Sequence, residues 1–282
     1  MKWIGNRESG NVEDRRFSGT GLALGGGGLI GIILIVVKLF LSDGDVDVSQ
    51  LVQATQQTTS LSPEDQAKDD ERAKFVRVVL AETEDIWHQI FKEQGSEYSE
   101  PILVMFRDRV PSPCGYASAA SGPFYCPGDQ KVYIDLSFYE EMQTRFNAPG
   151  DFAMAYVIAH EVGHHVQNLM GTTAKVDQLR SRLSETEFNR YSVKLELQAD
   201  FYAGVWAHYA ERTKNILDPG DIEEALNAAN AIGDDRLQKE ATGSVMPDAF
   251  THGTSEQRMY WFKKGYETGD LGQGDTFKGT DL

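Results

Sequence analysis

The stretch of the sequence with the clearest chemical meaning is H-E-V-G-H at residues 160–164. On an α-helix, positions four apart differ by about 40° around the axis and about 6 Å along it, so His160 and His164 present their imidazoles side by side. Zn²⁺ takes two such imidazoles as ligands in H-E-x-x-H metallopeptidases. Glu161 projects near the same site without being a ligand, where it can take a proton from a water that the metal activates. Because this pattern arises by chance in roughly one chain in a hundred of this length, a third ligand has to be identified.

A catalytic zinc site takes three protein ligands and leaves one position open. The metzincin pattern would place Gly and His three and six positions after the second ligand, but Gln167 and Met170 stand there, which excludes that class. The stretch LELQADFYAG at 195–204 offers Glu196, which completes a His, His, Glu set. Asp200 lies one turn further along the same face, where it can accept the free N–H of a ligating histidine. The inverted assignment, with Asp200 as ligand, and a surface salt bridge for Glu196 remain open alternatives.

Among the other histidines, His252 is the candidate for a second catalytic role. It precedes a predicted helix in DAFTHGTSEQRMYWF, and a loop histidine there can donate to the oxyanion that forms when water attacks a carbonyl. An ordinary loop histidine is an equally weighted alternative, and Arg258 is a weaker candidate for the same role. His165 is rotated by about 100° from His164, so we expect it to face away from the metal.

Helices and a few short strands must position these residues. Apolar residues at helical spacing predict helices at 69–92, 152–170, 184–210, 221–240 and 255–266. Runs rich in β-branched and aromatic residues at 101–106 and 131–136 are typical of strands. We expect the second strand to hold an extended substrate by edge pairing. A small sheet packed against a helical body makes this an α+β fold.

Residues 21–41 (GLALGGGGLIGIILIVVKLFL) are apolar apart from Lys38. About 20 helical residues cover a ~30 Å hydrocarbon layer, so this stretch predicts a transmembrane helix. The following sequence has no small-x-small cleavage site, which favours an uncleaved anchor over a signal peptide. Lys and Arg precede the span and Asp follows it, which places the N-terminus in the cytoplasm and the later residues outside the cell membrane.

These features divide the chain into five predicted parts: a cytoplasmic segment at 1–20, the transmembrane helix at 21–41, a polar linker at 42–67, a metallopeptidase domain at 68–268 and a disordered tail at 269–282. A G-x-x-x-G match at Gly27 and Gly31 suggests a homodimer through the span, with plain lipid-facing packing as the alternative.

Charge and cysteine content narrow the function further. The formal net charge of −16 argues against a nucleic-acid partner, because such a surface repels a polyanion. Cys114 and Cys126 are the only cysteines and flank a loop rich in Gly, Pro, Ser and Ala. If the domain is exported, a disulfide between them is expected, with a pair of free thiols as the alternative. Zinc ligation by these two is disfavoured, because C-x-x-C pairs are absent.

Taken together, the motifs resemble the neutral zinc metallopeptidase family of bacteria. The resemblance covers nearly the whole chain and rests on SGNVEDRR (9–16), the apolar span, GPFYCPGDQKVYIDLSFY (122–139), HEVGHHVQ, ELQAD and HGTSEQR. It implies a single-pass envelope protein with a gluzincin-like site at His160, Glu161, His164 and Glu196. A looser similarity to membrane peptidases of the prenyl-protease and heat-shock type supports Glu196 as a ligand, Asp200 as its neighbour's support and His252 near the substrate.

The sequence therefore predicts a membrane-anchored zinc metalloendopeptidase with Zn²⁺ as cofactor and a peptide or protein as substrate. Glu161 serves as general base and then general acid in this prediction. The alternative is a catalytically silent, membrane-tethered binding or scaffolding module with a structural zinc site. Glu161 argues against that alternative, because a closed structural site has no need of the carboxylate.

Overall fold

The computed structural model describes residues 1–16, 62–118 and 122–278. Six strands lie in this part of the chain: β1 (Val12–Asp14), β2 (Ile102–Phe106), β3 (Arg109–Ser112), β4 (Gly115–Ser118), β5 (Phe124–Cys126) and β6 (Lys131–Asp135). The α-helices of the same part are α1 (Pro63–Glu93), α2 (Phe138–Thr144), α3 (Asp151–Leu169), α4 (Thr172–Arg180), α5 (Glu185–Arg212), α6 (Asp221–Ala231), α7 (Asp234–Thr242) and α8 (Ser255–Thr268). A short 3₁₀ turn at Pro247–Ala249 lies between α7 and α8, and another at Leu271–Gln273 lies after α8. The predicted α+β class, mainly helical with a small sheet, is confirmed for the described residues.

The main sheet has four strands in the order β1-β2-β6-β5. β1 pairs with β2 and β2 with β6 in parallel, whereas β5 pairs with β6 antiparallel. The two predicted strands, β2 and β6, are therefore interior strands with neighbours on both sides. The prediction that Lys131–Leu136 offers a free edge to a substrate is wrong, because β5 covers that edge and itself becomes the edge strand.

The helical body is built around α3, α5 and α8. α3 is almost completely buried and stacks Phe152 against Trp206 of α5, with ring centroids 5.7 Å apart. α5 and α8 approach each other at glycines. A Cβ on Gly204 would lie 2.0 Å from a backbone oxygen of α8, and one on Gly265 would lie 2.1 Å from a backbone oxygen of α5. This close packing brings three helices together around the H-E-x-x-H motif.

Capping residues set where these helices begin. Ser184 and Glu187 form a capping box at the start of α5, and Thr254 and Gln257 form another at the start of α8. Each box satisfies backbone N–H groups that the first turn leaves without a helical partner. The predicted single helix at 221–240 is in fact two, α6 and α7, which are separated at Gly233. A Cβ on Gly233 would lie 2.4 Å from the backbone nitrogen of residue 255, so only glycine fits at this break.

The N-terminal residues belong to the folded domain, contrary to the prediction of a separate segment at 1–20. β1 extends the sheet beside β2, and the buried Glu84 of α1 accepts hydrogen bonds from Ser9 and Asn11. Arg16 donates to the buried Asp69 at 2.7 Å. The described part of the domain therefore comprises residues 1–16 as well as 62–118 and 122–278. The sequence did not predict this, because a three-residue strand carries no alternating pattern and its partners are distant in the chain.

The predicted membrane segment falls on residues that the structure does not describe. None of the helices in the described part of the chain is long and apolar enough to span a bilayer. The predicted transmembrane helix at 21–41, its Gly27 and Gly31 contact and most of the predicted linker lie outside the described residues. Within the described residues, β1 and β2 pair in one sheet, so residues 1–16 and the residues that follow position 62 belong to the same folded unit.

The predicted disordered tail also differs from the structure as far as residue 278. Thr276 is buried, and its hydroxyl donates to the backbone oxygen of Lys194 on α5 at 2.6 Å. The carbonyl of Gly274 accepts a hydrogen bond from Gln198 at 2.9 Å. A Gly- and Asp-rich sequence is typical of disorder, but here the small residues let the backbone lie directly against α5.

Candidate metal centre

The predicted ligands meet where α3 crosses α5. His160 Nε2 lies 3.2 Å from Glu196 Oε2, and His164 Nε2 lies 3.4 Å from Glu196 Oε1. One potential ligand atom from each of the three residues lies within 4.8 Å of the other two. The structure thus brings together the three residues that the sequence predicted as ligands.

These separations fit a zinc ion. A tetrahedral ion with ligands at about 2.0–2.1 Å places neighbouring ligand atoms about 3.3 Å apart. The two measured nitrogen-to-oxygen separations are 3.2 and 3.4 Å. Both histidines direct Nε2 towards Glu196, and each Nδ1 has a hydrogen-bond partner of its own. A set of two neutral imidazoles and one carboxylate is a donor set of catalytic zinc sites, which keep a fourth position open.

Gly163 allows the two helices to come close enough for this geometry. A Cβ on Gly163 would lie 2.9 Å from the backbone oxygen of Ala199 and 3.1 Å from its Cα. Contacts that short force the neighbouring atoms to move, and here the neighbour is a helix backbone. The glycine inside H-E-V-G-H therefore sets the distance between the helix of the histidines and the helix of Glu196.

Asp200 forms a hydrogen bond with His160 as part of a larger buried network. Its Oδ1 accepts from His160 Nδ1 at 2.8 Å, from Tyr156 Oη at 2.5 Å and from Arg258 Nη2 at 3.0 Å. Its Oδ2 accepts from Arg258 Nε at 2.8 Å. Asp200 is fully buried and Arg258 is nearly so. Arg258, weighed from the sequence as an oxyanion donor, instead pairs with Asp200 and also lines the adjacent pocket.

The electrostatics of this cluster favour positive charge at its centre. Burial alone would lower the pKa of His160, but the Asp200 carboxylate and Glu196 outweigh it and raise the pKa to about 10. Burial would raise the pKa of Asp200, yet Arg258 and His160 hold it at about 2. The pKa of Glu196 also stays well below its usual value despite burial, because His164, His252 and His160 surround it. The Glu196 side chain is 19 % exposed, so it faces the pocket.

Gln167 supports the second histidine, and the sequence analysis missed this role. Its Oε1 lies 2.9 Å from His164 Nδ1, and its Nε2 donates to the backbone oxygen of Leu195 at 2.6 Å. The side chain is fully buried. Its position three residues after His164, on the same helical face, was the signal that could have identified it.

Glu161 and the three predicted metal ligands line one pocket of about 480 Å³. Glu161 is 7 % exposed. Its charge acts on His164, since it is among the causes that raise the pKa of that imidazole. The Glu161 carboxylate therefore lies in the same pocket as the predicted ligands.

His252 also lines this pocket, on the loop before α8. Its Nδ1 lies 3.2 Å from Asp234 Oδ1. Asp234 further accepts from the backbone N–H groups of Thr251, His252 and Gly253, so one carboxylate fixes the loop. The nearby Glu196 charge, with Asp234, raises the pKa of His252 against the effect of burial. Asp234 was not identified from the sequence.

The edge strand β5 forms another wall of the pocket through Phe124 and Tyr125. Tyr125 Oη lies 3.0 Å from His165 Nδ1, and His165 Nε2 lies 2.6 Å from the carbonyl oxygen of Ser99. His165 therefore faces away from the metal ligands, as expected, and anchors this strand. The predicted disulfide between Cys114 and Cys126 is present, with an S–S distance of 2.06 Å, and it ties the β3–β4 hairpin to the end of β5.

A second acidic group lies at the start of α3 and α6. Asp151, Asp221 and Glu224 are close enough to hold a cation. However, the α-amino group of Met1 donates to Asp151 at 2.8 Å and to Asp221 at 3.3 Å. This ammonium already supplies the positive charge, so we assign no metal there.

An H-E-x-x-H helix, a glutamate from a second helix and an open pocket define the class of zinc metallopeptidases with a His, His, Glu ligand set. The comparison with known families agrees. The chain belongs to the family described as "Putative neutral zinc metallopeptidase", whose model matches residues 1–277. The match begins at the N-terminal residues that the structure places in the domain.

Two bacterial relatives share most of this chain. It is 51% identical over 288 residues to the Escherichia coli K12 protein "Uncharacterized protein YpfJ", covering 98% of this chain and 99% of the relative. It is 41% identical over 219 residues to "Uncharacterized protein Rv2575" of Mycobacterium tuberculosis H37Rv, covering 74% of this chain and 73% of that relative. No solved structure gives a significant match.

Proposed function

We propose that this protein is a zinc-dependent peptidase that hydrolyses peptide bonds at the junction of α3 and α5. The observation that carries the proposal is the position of Glu196 between Nε2 of His160 and Nε2 of His164, at 3.2 and 3.4 Å. A carboxylate in a surface salt bridge would not lie between two histidines whose Nδ1 atoms are held from behind. The family name independently implies zinc.

Zinc bound to these three residues would polarise a scissile carbonyl and lower the pKa of a coordinated water towards 7. Glu161 takes a proton from the attacking water and then delivers it to the leaving amine. His252, oriented by Asp234, donates to the oxyanion from the other side of the pocket. Its raised pKa favours the charged form, which is the stronger donor.

The wall formed by β5 gives an extended substrate a place to bind. Among the described residues β5 pairs with β6 on one side only, so we propose that its other edge offers backbone groups to a peptide. The Tyr125 to His165 hydrogen bond and the disulfide at Cys126 hold this strand in position beside the pocket. We propose that β5 takes the substrate-binding role that the sequence analysis gave to β6.

The alternative of a scaffold with a structural zinc is less well supported. A structural site is closed by a fourth protein ligand. Here the ligands line a pocket of about 480 Å³ that also contains Glu161 and His252. Neither side chain would serve a closed site.

The test compares two variants of the full chain, Glu161→Gln and Glu196→Gln. We expect Glu161→Gln to bind zinc with wild-type stoichiometry but to lose at least ~100-fold in cleavage rate, the usual contribution of a general base. We expect Glu196→Gln to lose both zinc and cleavage. Metal content is measured by mass spectrometry and cleavage with casein and a quenched peptide library.

Glu240→Gln is the matched control, because Glu240 is an exposed residue of α7 away from the pocket. It should leave zinc content and cleavage unchanged. Wild-type cleavage by zinc-loaded Glu161→Gln would refute the proposed mechanism.

A further inference from the structure

Two buried glutamines connect the metal centre to the C-terminal segment, residues 270–277. Gln198 Nε2 donates to the carbonyl oxygen of Gly274 at 2.9 Å. Gln167 Nε2 donates to Gln198 Oε1 at 3.3 Å and to the Leu195 carbonyl at 2.6 Å. Gln167 Oε1 then lies 2.9 Å from His164 Nδ1.

The direction of these hydrogen bonds is fixed from the C-terminal end. A backbone carbonyl can only accept, so the Gly274 oxygen requires the NH₂ of Gln198 to face it. The oxygen of Gln198 must then face Gln167. The Leu195 carbonyl imposes the same orientation on Gln167, whose oxygen is left to face His164.

This orientation selects one tautomer of His164. An amide oxygen facing Nδ1 requires the proton to be on Nδ1, which leaves the Nε2 lone pair free. Nε2 is the atom that lies 3.4 Å from Glu196 Oε1. The hydrogen bonds that begin at Gly274 therefore hold His164 in the form that can bind a metal ion.

The same segment also holds the helix turn that carries Glu196. The Thr276 hydroxyl donates to the Lys194 carbonyl at 2.6 Å, two residues before Glu196, and Gln198 is attached two residues after it. Thr276 is 2 % exposed. A Cβ on Gly274 would lie 2.4 Å from the ring of Phe201, so the segment packs directly on α5.

We propose that residues 270–277 are a positioning element of the metal centre, acting on His164 through Gln198 and Gln167 and on Glu196 through the Lys194–Gln198 turn. The proposal rests on the proposed zinc site and names the residues that orient its ligands. Mutation of the residues that hydrogen-bond to metal ligands typically lowers metal affinity by about 10–100-fold.

The test measures zinc affinity of the full chain by competition with a chromophoric chelator. Gln198→Met keeps the size of the side chain but removes its hydrogen bonds to Gly274 and Gln167. The substituted position is two residues away from the predicted ligand Glu196. We expect it to weaken zinc binding by about 10-fold or more. Thr276→Val removes the second attachment, and we expect a loss of several-fold.

Thr268→Val is the matched control, because the Thr268 hydroxyl also donates to a helix carbonyl, that of Lys264 at 2.8 Å, at the exposed end of α8. It should leave zinc affinity unchanged. The visible spectrum of the Co²⁺-loaded protein is a second measurement, since it reports ligand geometry and should change in Gln198→Met and not in Thr268→Val. Melting of the metal-free variants verifies that each one folds.

The possible failures can be distinguished. A wild-type chain that binds zinc no better than Glu196→Gln would overturn the proposed function and this proposal with it. A wild-type chain that binds zinc, with Gln198→Met and Thr276→Val equal to it in affinity and Co²⁺ spectrum, would overturn only the positioning role. If Gln198→Met does not fold, Thr276→Val decides by the same two measurements.

Discussion

Replacing Asp200 by Asn should damage both the stability of the domain and its metal site. All four close contacts of the Asp200 carboxylate are with donors: His160 Nδ1, Tyr156 Oη and two guanidinium nitrogens of Arg258. The asparagine NH₂ group must replace one of the two oxygens and therefore faces N–H donors that can no longer donate to it. Neither the NH₂ group nor those N–H groups then has an acceptor. The substitution also leaves the buried Arg258 charge without its counter-ion.

Removing one partner of a buried ion pair typically costs about 3–5 kcal/mol. For a domain of this size each kcal/mol corresponds to roughly 2–4 °C in Tm, so we expect Tm of the metal-free protein to fall by about 6–20 °C. The pKa of Asp200 is lowered to about 2, so its contribution is fully present above the unfolded value near 3.8 and is lost as pH falls towards 2. Denaturation at pH 7 therefore measures the whole effect.

Zinc affinity should fall as well, by about 10–100-fold, because His160 loses the acceptor that orients its ring. Competition titration of the full chain measures this loss. Asp248→Asn, at an exposed 3₁₀ turn, is the matched control and should change neither quantity. An Asp200→Asn protein within about 1 kcal/mol of the wild type at pH 7 would show that the network contributes little, contrary to the general cost of an unpaired buried charge.

Two further predictions concern the same site. A methyl group at position 163 would lie 2.9 Å from the Ala199 backbone oxygen, so Gly163→Ala should push α5 away and weaken zinc binding. In the free energy of unfolding, an overpacking cost of about 1–3 kcal/mol is partly offset by about 1 kcal/mol of better helix propensity. Gly10→Ala, which meets no atom within 4 Å, is its control, and equal zinc affinity in Gly163→Ala and the wild type would contradict the close-packing argument. Zinc affinity should also rise with pH between about 6 and 9, by one to two factors of ten per pH unit, because His160 and His164 have raised pKa values and must release protons when the metal binds. Competition titrations across this range measure the slope, and a flat profile would mean that the imidazoles are already neutral.

The core of the candidate site was predictable because its pattern is local. His160, Glu161 and His164 lie within two turns of one helix, and helix geometry alone fixes their relative directions. Glu196 required a hypothesis about a second helix. Asp200, one turn later on the same face, was consistent with it, because its carboxylate could accept the free N–H of a ligating histidine. The structure brings all five residues together.

What the sequence could not supply depends on contacts between distant parts of the chain. β1 has no pattern of its own and is defined by its pairing with β2. The tail folds because Gly274 and Thr276 meet α5, which no local preference indicates. The position of β5 at the sheet edge follows from the order in which the strands pair. The sequence does not reveal that order, and the prediction therefore gave the substrate-binding edge to β6.

The charges around the two imidazoles explain why the two supporting residues differ. His160 is held by the Asp200 carboxylate, and Arg258 offsets that charge only in part, since the pKa of His160 is still raised to about 10. His164 is held by the neutral amide of Gln167. Glu196 lies between the two imidazoles and supplies negative charge to both. A carboxylate in the place of Gln167 would add further negative charge behind His164 and would favour protonation of that histidine, which competes with metal binding.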